Sequence, residues 1–332
     1  MTKWPIEHEE RMLTAAELYY YEGLTQSEVS ARMGVTRWTV GRLLEEAKQA
    51  GIVRIVIDHP RARRHELELK LKNAFGLRDA VVLSAQPRPA DTLQAIGAAA
   101  ARQLCGMKPA IRRVAVSWGR TVAAVATELP VGWARGVEII QTNGGPVVVR
   151  GNPVGDSLYA LAEKGPGTVR SLAGPAILDS VATATALRGE ASIARTLNLA
   201  ERSPVMLFSP GTVGPDSVLV QSGYVGAEQI TALSARGVVG DVMSHFILAD
   251  GTPADAELDA RTLSISLDSL RRCPTVIAVA TGEQKKAATL AAVTAGLVTH
   301  LITDSSIATY LLAASTDTGA GEVTPQISNK KD

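Results

Sequence analysis

The sequence predicts an α/β protein in which a small helical domain precedes a larger, doubly wound and mainly parallel α/β domain. Two patterns support this prediction. Apolar residues recur at helical spacing near the N-terminus, and short apolar runs alternate with helical segments from residue 79 onward. The length of 332 residues is also too great for one compact core and suits a small domain followed by a large one.

Two short helices joined by a tight turn define the small N-terminal domain. Thr25 followed by Glu28 forms a capping box, which is typical of the start of a helix. A turn at Gly34 precedes a second helix that starts at Thr36. This second helix has an inward-facing apolar stripe formed by Val40, Leu43, Leu44 and Ala47. The arrangement indicates a helix-turn-helix, in which the second helix enters the DNA major groove.

The exposed side of this motif supplies the candidate DNA contacts. They are Thr25, Gln26, Thr36, Arg37, Trp38, Thr39, Gly41 and Arg42. Residues 30–65 hold eight basic and three acidic residues, whereas residues 1–29 hold two basic residues and six glutamates. Positive charge is therefore concentrated where phosphates would lie. The extended run 52–57 adds a candidate wing, and the alternative is a three-helix packing unit with charged solvent-facing sides.

Composition excludes several classes of protein. No apolar run reaches 18 residues and the N-terminus is not a signal peptide, so we expect a cytoplasmic protein without a membrane partner. Two isolated cysteines predict no disulfide, and the histidines show no metal-ligand spacing. Neither a Walker A motif nor a Gly-x-Gly-x-x-Gly fingerprint occurs, so no nucleotide cofactor is expected.

The large domain contains seven short apolar runs that predict the strands of the sheet. These runs are Ala80–Leu83, Val114–Val116, Glu138–Gln141, Val169–Leu172, Val205–Phe208, Thr275–Val279 and His300–Ile302. Thr262–Ser266 is a further strand candidate, and Phe246–Leu248 with the turn at Asp250 and Gly251 is a candidate hairpin. Ligands of such sheets bind beyond the carboxyl ends of the strands.

Four of these strand ends carry chemistry suited to a phosphorylated small ligand. Glycines permit close backbone approach, hydroxyls and helix starts offer hydrogen bonds, and Arg or Lys supplies positive charge. The candidate residues at these ends are Ser117, Gly119, Arg120, Thr121, Gly144, Gly145, Gly211, Thr212, Gly282 and Lys285. Each end alone could be an ordinary turn or a solvated helix start, but neighbouring strands would deliver all four to one edge.

The ordered set of motifs resembles the SorC family of sugar-responsive bacterial transcription regulators from about residue 10 to about residue 313. The resemblance lies in the segments 23–29, 40–47, 75–82, 117–121, 237–241 and 303–304. It implies a sensor domain similar to glucosamine-6-phosphate deaminase and ribose-5-phosphate isomerase folds that serves as a switch. It also implies a phosphorylated sugar or related effector and a homo-oligomer, a dimer or tetramer, on operator DNA.

The resemblance adds Asp241 to the effector-binding residues and carries over the other loop residues except Gly211 and Thr212. Two positions depart from the family's reading helix: Trp38 stands where proline is common and Gly41 where serine is common. The resemblance therefore leaves the operator sequence open.

The domain prediction that follows has four parts: a helix-turn-helix DNA-binding domain at 1–58, a linker at 59–65, a sugar-phosphate sensor and oligomerisation domain at 66–315, and a flexible tail at 316–332. The helix starting at Glu66 is either the first helix of the large domain or a connector, and its stripe of Leu67, Leu71 and Phe75 is a candidate oligomer contact.

We expect a DNA-binding transcriptional regulator with no catalytic residues. The alternative is a sugar-phosphate isomerase or deaminase-like enzyme with a fused DNA-binding module, for which Asp241 and Asp304 are the candidate acids. A protein-interaction module without DNA binding would leave the basic reading face unexplained.

Overall fold

The computed structural model describes residues 4–53, 63–145 and 153–317, without the side chains of residues 153–155 and 317. The described residues form two compact units that divide between residues 58 and 59. Within the described ranges, no helix is both long and apolar enough to cross a membrane.

The N-terminal unit is built from three α-helices and a π-helical turn. They are α1 Ile6–Ala16, the π-helical turn Glu17–Tyr21, α2 Gln26–Met33 and α3 Arg37–Gln49. Thr25 caps α2 through a capping box with Glu28, and Gly34 ends that helix with a φ of 65°. All four residues of the predicted stripe on α3 are buried. The helix-turn-helix is therefore confirmed, whereas the predicted wing lies outside the described residues from position 54 onward.

The larger unit alternates strands with helices. Its helices are α4 His65–Phe75, α5 Pro89–Gly106, α6 Arg120–Glu128, α7 Pro153–Lys164, α8 Val181–Gly189, α9 Ala191–Glu201, α10 Val218–Gln221, α11 Ala227–Ala235, α12 Ala256–Arg261, α13 Leu267–Arg272, α14 Lys286–Thr294 and α15 Ser305–Asp317. Its strands are β1 Asp79–Leu83, β2 Arg113–Val116, β3 Glu138–Gln141, β4 Thr168–Arg170, β5 Val205–Phe208, β6 Gly240–Val242, β7 His245–Ile247, β8 Thr275–Ala280 and β9 His300–Asp304.

Seven of these strands form one parallel sheet in the order β1-β9-β8-β5-β2-β3-β4. The chain runs from β2 through β3 to β4, then returns to β5 on the other side of β2. A crevice at the carboxyl ends of β2 and β5 is the expected ligand position in such a sheet. The doubly wound parallel fold predicted from the seven apolar runs is thus confirmed.

Both faces of the sheet are buried, each in its own hydrophobic core. Along β2, Val114 and Val116 pack into one core while Ala115 packs into the other. Along β5, Met206 and Phe208 share the core of Ala115. Alternation of this kind follows from the two-residue period of a strand, and burial on both faces explains why these strands read as continuous apolar runs.

One minor strand prediction is wrong, and another describes only part of the structure. The segment Thr262–Ser266 forms only isolated bridges, from Thr262 to Ile177 and from Ser264 to Asn143. The predicted turn at Asp250 and Gly251 does return the chain after Phe246–Leu248, with an antiparallel bridge from Ile247 to Pro253. The regular strand partner of this segment is β6, and Met243 and Ser244 form the turn between β6 and β7. Sequence patterns missed β6 because three residues are too few to show a period.

Helix α4 packs inside the larger unit. Leu71 is fully buried, and Leu67 and Phe75 pack against the same core. The predicted stripe on α4 is therefore explained by packing within the chain. Before the helix, Arg64 donates its backbone N–H to the Val82 carbonyl at 2.7 Å, which attaches this segment to the edge strand β1.

Candidate functional site

The reading face of the N-terminal unit is centred on Trp38 and Arg42 of α3. Trp38 is 72% exposed, which is unusual for an indole on a small domain. The Arg42 guanidinium lies 5.2 Å from the Trp38 ring centroid, and its Nε lies 3.5 Å from Glu46 Oε1. These two neighbours hold the guanidinium at the surface in a cation–π contact and a weak ion pair.

The other predicted DNA contacts surround this pair. Thr25, Thr36 and Arg37 are exposed, whereas Gln26, Thr39 and Gly41 are half-buried. The Thr36 hydroxyl caps α3 by accepting the Thr39 N–H at 3.1 Å. The Gln26 amide lies about 4.0 Å from where a Cβ of Gly41 would sit, so α2 and α3 approach each other closely there. Contact of these residues with DNA remains a prediction.

A cavity of about 580 Å³ opens in the larger unit, lined by the turns that follow β2, β5 and β8 and by the β6–β7 hairpin. It brings together nine of the eleven predicted effector residues: Ser117, Gly119, Arg120, Thr121, Gly211, Thr212, Asp241, Gly282 and Lys285. The turns after β2 and β5 meet at the crevice between these two strands, as the topology requires.

Lys285 is the cation that joins these turns. Its Nζ donates to Thr121 Oγ1 at 2.9 Å and to Ser209 Oγ at 2.5 Å. The pKa of Lys285 is lowered to about 8, because burial together with the Arg120 charge outweighs the opposing Asp241 charge. Among the residues that the structure describes, no carboxylate forms an ion pair with Lys285, so this ammonium can pair with an anion.

Asp241 is an acidic residue of the cavity lining, which also includes Glu283 and Asp304. It is 9% exposed, and its Oδ2 accepts the Ser244 N–H at 3.0 Å. The pKa of Asp241 is raised to about 6, because burial outweighs the Ser244 N–H, Lys285 and His245, each of which lowers it. Gly211 packs directly on this carboxylate, and a Cβ there would collide with it. The predicted glycine after β5 is therefore required by the Asp241 side chain.

The start of α6 forms another part of the cavity wall. Gly119 precedes the helix with a φ of 151°, a conformation that side chains disfavour. The first intrahelical bond runs from the Ala123 N–H to the Gly119 carbonyl, so the earlier amides have no partner within the helix. Arg120 donates to the Asp216 carbonyl at 3.2 Å and lines the same cavity.

Gly144 and Gly145 are not among the lining residues. The Gly144 N–H donates to the Leu263 carbonyl at 2.7 Å, and its carbonyl accepts the Trp118 indole N–H at 2.6 Å. A Cβ on Gly144 would overlap the Pro175 backbone. Gly144 thus packs behind Trp118, which itself lines the cavity.

Several lining residues were missed by the sequence analysis. Ser209 directly follows β5 and Asn143 follows β3, so their position after a strand was an available signal. Ser244 gave no such signal, because it reaches the cavity only through the β6–β7 turn.

The two candidate catalytic acids have structural partners. Asp304 accepts hydrogen bonds from Thr281, Gly282, Ser306 and Ile307, which joins the turn after β8 to the start of α15. His245, four residues after Asp241, contacts Asp259 and Ile265 instead. In the part of the chain that the structure describes, no group of three or more His, Cys, Asp or Glu side chains could hold a metal ion.

Comparison with known proteins identifies relatives of both units. A sugar-binding domain model (Sugar-bind) matches residues 59–313, and the sigma-70 region 4 model matches residues 10–50. The transcriptional regulator LsrR of Klebsiella pneumoniae is 29% identical, covering 93% of this chain and 94% of that protein. The deoxyribonucleoside regulator of Bacillus subtilis is also 29% identical, covering 92% of this chain and 98% of that protein.

The solved structures give the same result for the whole fold. The full-length sorbitol operon regulator SorC from Klebsiella pneumoniae has a TM-score of 0.68 and 26% identity, covering 92% of this chain and 99% of that one. A domain of a sugar-binding transcriptional regulator from Arthrobacter aurescens has a TM-score of 0.66 and 28% identity, covering 78% of this chain and all of the other. These relatives are named as regulators, not enzymes.

Proposed function

Since the chain belongs to the SorC family and is a transcriptional regulator with a sugar-binding domain, we propose that a phosphorylated sugar or related metabolite controls its operator binding. The effector binds in the cavity of the larger unit, and residues 66–315 act as sensor and oligomerisation domain. Residues 1–58 bind the operator through α3.

One observation carries the proposal: the Lys285 ammonium lies between two hydroxyls where the β2 and β5 turns meet. A phosphate there receives charge-assisted hydrogen bonds from Lys285 and amide hydrogen bonds from the start of α6. The helix dipole of α6 adds to this attraction, because the positive end of the helix forms part of the cavity wall.

The opposite chemistry of Asp241 favours a ligand with hydroxyl groups. A carboxylate accepts hydrogen bonds from sugar hydroxyls, whereas the Asn143 amide and Ser244 hydroxyl, both at the cavity wall, offer neutral donors and acceptors. An anion alone would use only the Lys285 end. A sugar phosphate can use both groups, with its phosphate at Lys285 and its hydroxyls at Asp241.

Control of transcription follows from linkage. An effector that binds more tightly to the arrangement with low DNA affinity weakens operator binding, and the operator weakens effector binding by the same factor. Paired half-sites on a symmetric homo-oligomer, a dimer or tetramer, supply the affinity that one small reading helix lacks. Light scattering at micromolar concentration should therefore detect an oligomer, and a stable monomer would contradict this part.

The ligand class is tested by thermal shift with matched sugars. Ribose 5-phosphate, glucose 6-phosphate and fructose 6-phosphate are compared with ribose, glucose, fructose and inorganic phosphate, with and without operator DNA. We expect at least one sugar phosphate to raise the melting temperature, and the free sugars and inorganic phosphate to have little effect. Equal shifts by a sugar and its phosphate would contradict the proposal.

Substitution of Lys285 tests the site itself. Lys285→Ala should weaken sugar-phosphate binding by about 10- to 150-fold, because a hydrogen bond to a charged group contributes roughly 1.5–3 kcal/mol. The matched control is Lys286→Ala, since Lys286 bonds to Glu283 and lies over the Tyr310 ring. Unchanged affinity in Lys285→Ala would remove Lys285 from the site.

A further inference from the structure

The β6–β7 hairpin connects two cavities. Asp241 and Ser244 line the effector cavity, whereas His245 lines a separate cavity of about 450 Å³. The turn between the strands has positive φ at Met243 (50°) and Ser244 (72°), and both residues are buried. Side chains disfavour this backbone conformation, so contacts around the turn must hold it in place.

On the side of the effector cavity, hydrogen bonds connect this turn to the Asp241 carboxylate. The Ser244 N–H donates to Asp241 Oδ2 at 3.0 Å, and the Ser244 hydroxyl accepts from Asn143 Nδ2 at 2.8 Å. The position of the turn therefore sets the position of the Asp241 carboxylate. A change in the turn would therefore move two residues that line the cavity, Asp241 and Ser244.

His245 anchors the other side of the turn. Its Nε2 lies 2.9 Å from the Ile265 carbonyl and its Nδ1 lies 2.6 Å from Asp259 Oδ1. A carbonyl can only accept, so Nε2 facing Ile265 carries a proton, and a proton on Nδ1 would complete an ion pair with Asp259. The His245 side chain is only 5% exposed.

We propose that His245 and Asp259 form a positioning pair, which fixes the β6–β7 turn and places a positive charge behind Asp241. The pair keeps the Asp241 carboxylate ionised and presented to the hydroxyl groups of the effector. The role in effector binding rests on the proposed function, whereas the action on Asp241 does not.

The charges around the hairpin agree with this role. The pKa of Asp241 is raised to about 6, because burial outweighs the opposing effects of the Ser244 N–H, Lys285 and His245. The ionisable residues that face His245 across the second cavity are Asp259 of α12, Arg188 of α8, Glu201 of α9, and Asp268 and Arg271 of α13. Arg271 and Asp268 bond to each other at 2.6 Å, so Asp259 is the carboxylate that pairs with His245.

The direct test measures the ionisation of Asp241 in the full chain without any effector. Aspartate carboxyl carbons are labelled with ¹³C and titrated by NMR, and the Asp241 signal is assigned by its loss in Asp241→Asn. The parent midpoint should lie near 6. His245→Gln retains a donor for the Ile265 carbonyl but lacks the charge, so the midpoint should rise by about one pH unit.

Two further variants separate the pair from general damage to the fold. Asp259→Asn should raise the midpoint in the same direction, because it removes the carboxylate that stabilises a positive charge on the ring. Asp268→Asn changes a carboxylate at the same cavity that bonds to Arg271, and should leave the midpoint unmoved. An unmoved midpoint in folded His245→Gln and Asp259→Asn would overturn the proposal.

Effector affinity gives the second readout. The ratio of variant to parent Kd for ribose 5-phosphate, glucose 6-phosphate and fructose 6-phosphate cancels the titration of the ligand itself. For His245→Gln this ratio should be about five at pH 6 and near one at pH 8.5, because Asp241 is ionised in both proteins at high pH. A pH-independent ratio would contradict the electrostatic role. If the NMR midpoint moves but no sugar phosphate binds the parent, the positioning pair stands and the proposed ligand class is wrong.

Discussion

The reading face and the effector cavity differ in the sequence separation between the residues that form them. On α3, Trp38, Arg42 and Glu46 follow one another at single-turn spacing, and Arg42 contacts both of the others. In the cavity, Lys285 bonds to Thr121 across 164 positions and Asn143 bonds to Ser244 across 101 positions. The reading face is thus a local product of one helix, whereas the cavity exists only when the whole sheet has formed.

The two regions are therefore sensitive to different kinds of substitution. A local surface is lost when its own helix loosens or when one of its side chains is removed. An assembled cavity is lost through any strand or turn that carries a lining residue, as the collision of a Gly211 Cβ with Asp241 indicates. The predictions below test whether the two regions respond independently.

The largest effect is expected from Leu43→Ala in the core of the N-terminal unit. Leu43 is 1% exposed, and truncation of a buried leucine costs about 2–5 kcal/mol, which a small helical unit cannot absorb. Operator binding should be lost while sugar-phosphate binding persists. Gel shift and calorimetry on the same protein measure the two activities.

Leu13→Ala is the control for Leu43→Ala, because Leu13 is 47% exposed and truncation there should change stability by no more than about 0.5 kcal/mol. Loss of effector binding in Leu43→Ala would mean that the two units do not respond independently.

Arg42→Ala should weaken operator binding by about 1–3 kcal/mol if the guanidinium reads a base. The fold should be unaffected, because Arg42 is exposed and its ion pair with Glu46 contributes little. Binding to operator and to a scrambled duplex is compared at matched salt. Lys48→Ala, at the end of the same helix, is the control for loss of one positive charge. Parent-like discrimination by Arg42→Ala would contradict the assignment.

The sequence predicted the reading face more completely than the cavity, because sequence patterns report contacts between residues that are close along the chain. Capping boxes and helical stripes act over four residues, so Thr25, Thr36 and the buried face of α3 could be identified directly. Buried parallel strands can also be identified as apolar runs, and the residues that follow them include most of the predicted cavity residues. Contacts that depend on tertiary packing left no such pattern, which is why Ser244 was missed and Gly144 was assigned to the cavity and not to the packing behind Trp118.

Effector affinity should depend on pH with two limits. Lys285 loses its proton with a pKa of about 8 and Asp241 gains one with a pKa of about 6, so both groups are charged only between these values. Affinity should fall by up to about tenfold per pH unit beyond either limit, as each charge is needed for binding. Operator binding by the effector-free protein should not share these limits, because arginine side chains in general stay protonated across this range. Calorimetry across pH 5 to 9, compared with Lys285→Ala, measures the high-pH limit, and a flat profile would contradict both roles.

The smallest effect is expected at the capping box of α2. The Thr25 N–H donates to Glu28 Oε2 at 2.8 Å, and the Thr25 hydroxyl accepts the Glu28 N–H at 3.4 Å. Thr25→Ala removes the acceptor and should destabilise α2 by about 1 kcal/mol, whereas Thr25→Ser should retain the cap. Hydrogen exchange of the α2 amides in the full chain measures this local loss. The amides of β2 and β5 should exchange as in the parent, because α2 contributes no residue to the sheet. Faster exchange in the sheet of Thr25→Ala would show that the reading face and the cavity are coupled in the absence of effector, and the switch would then act through a shared folding unit.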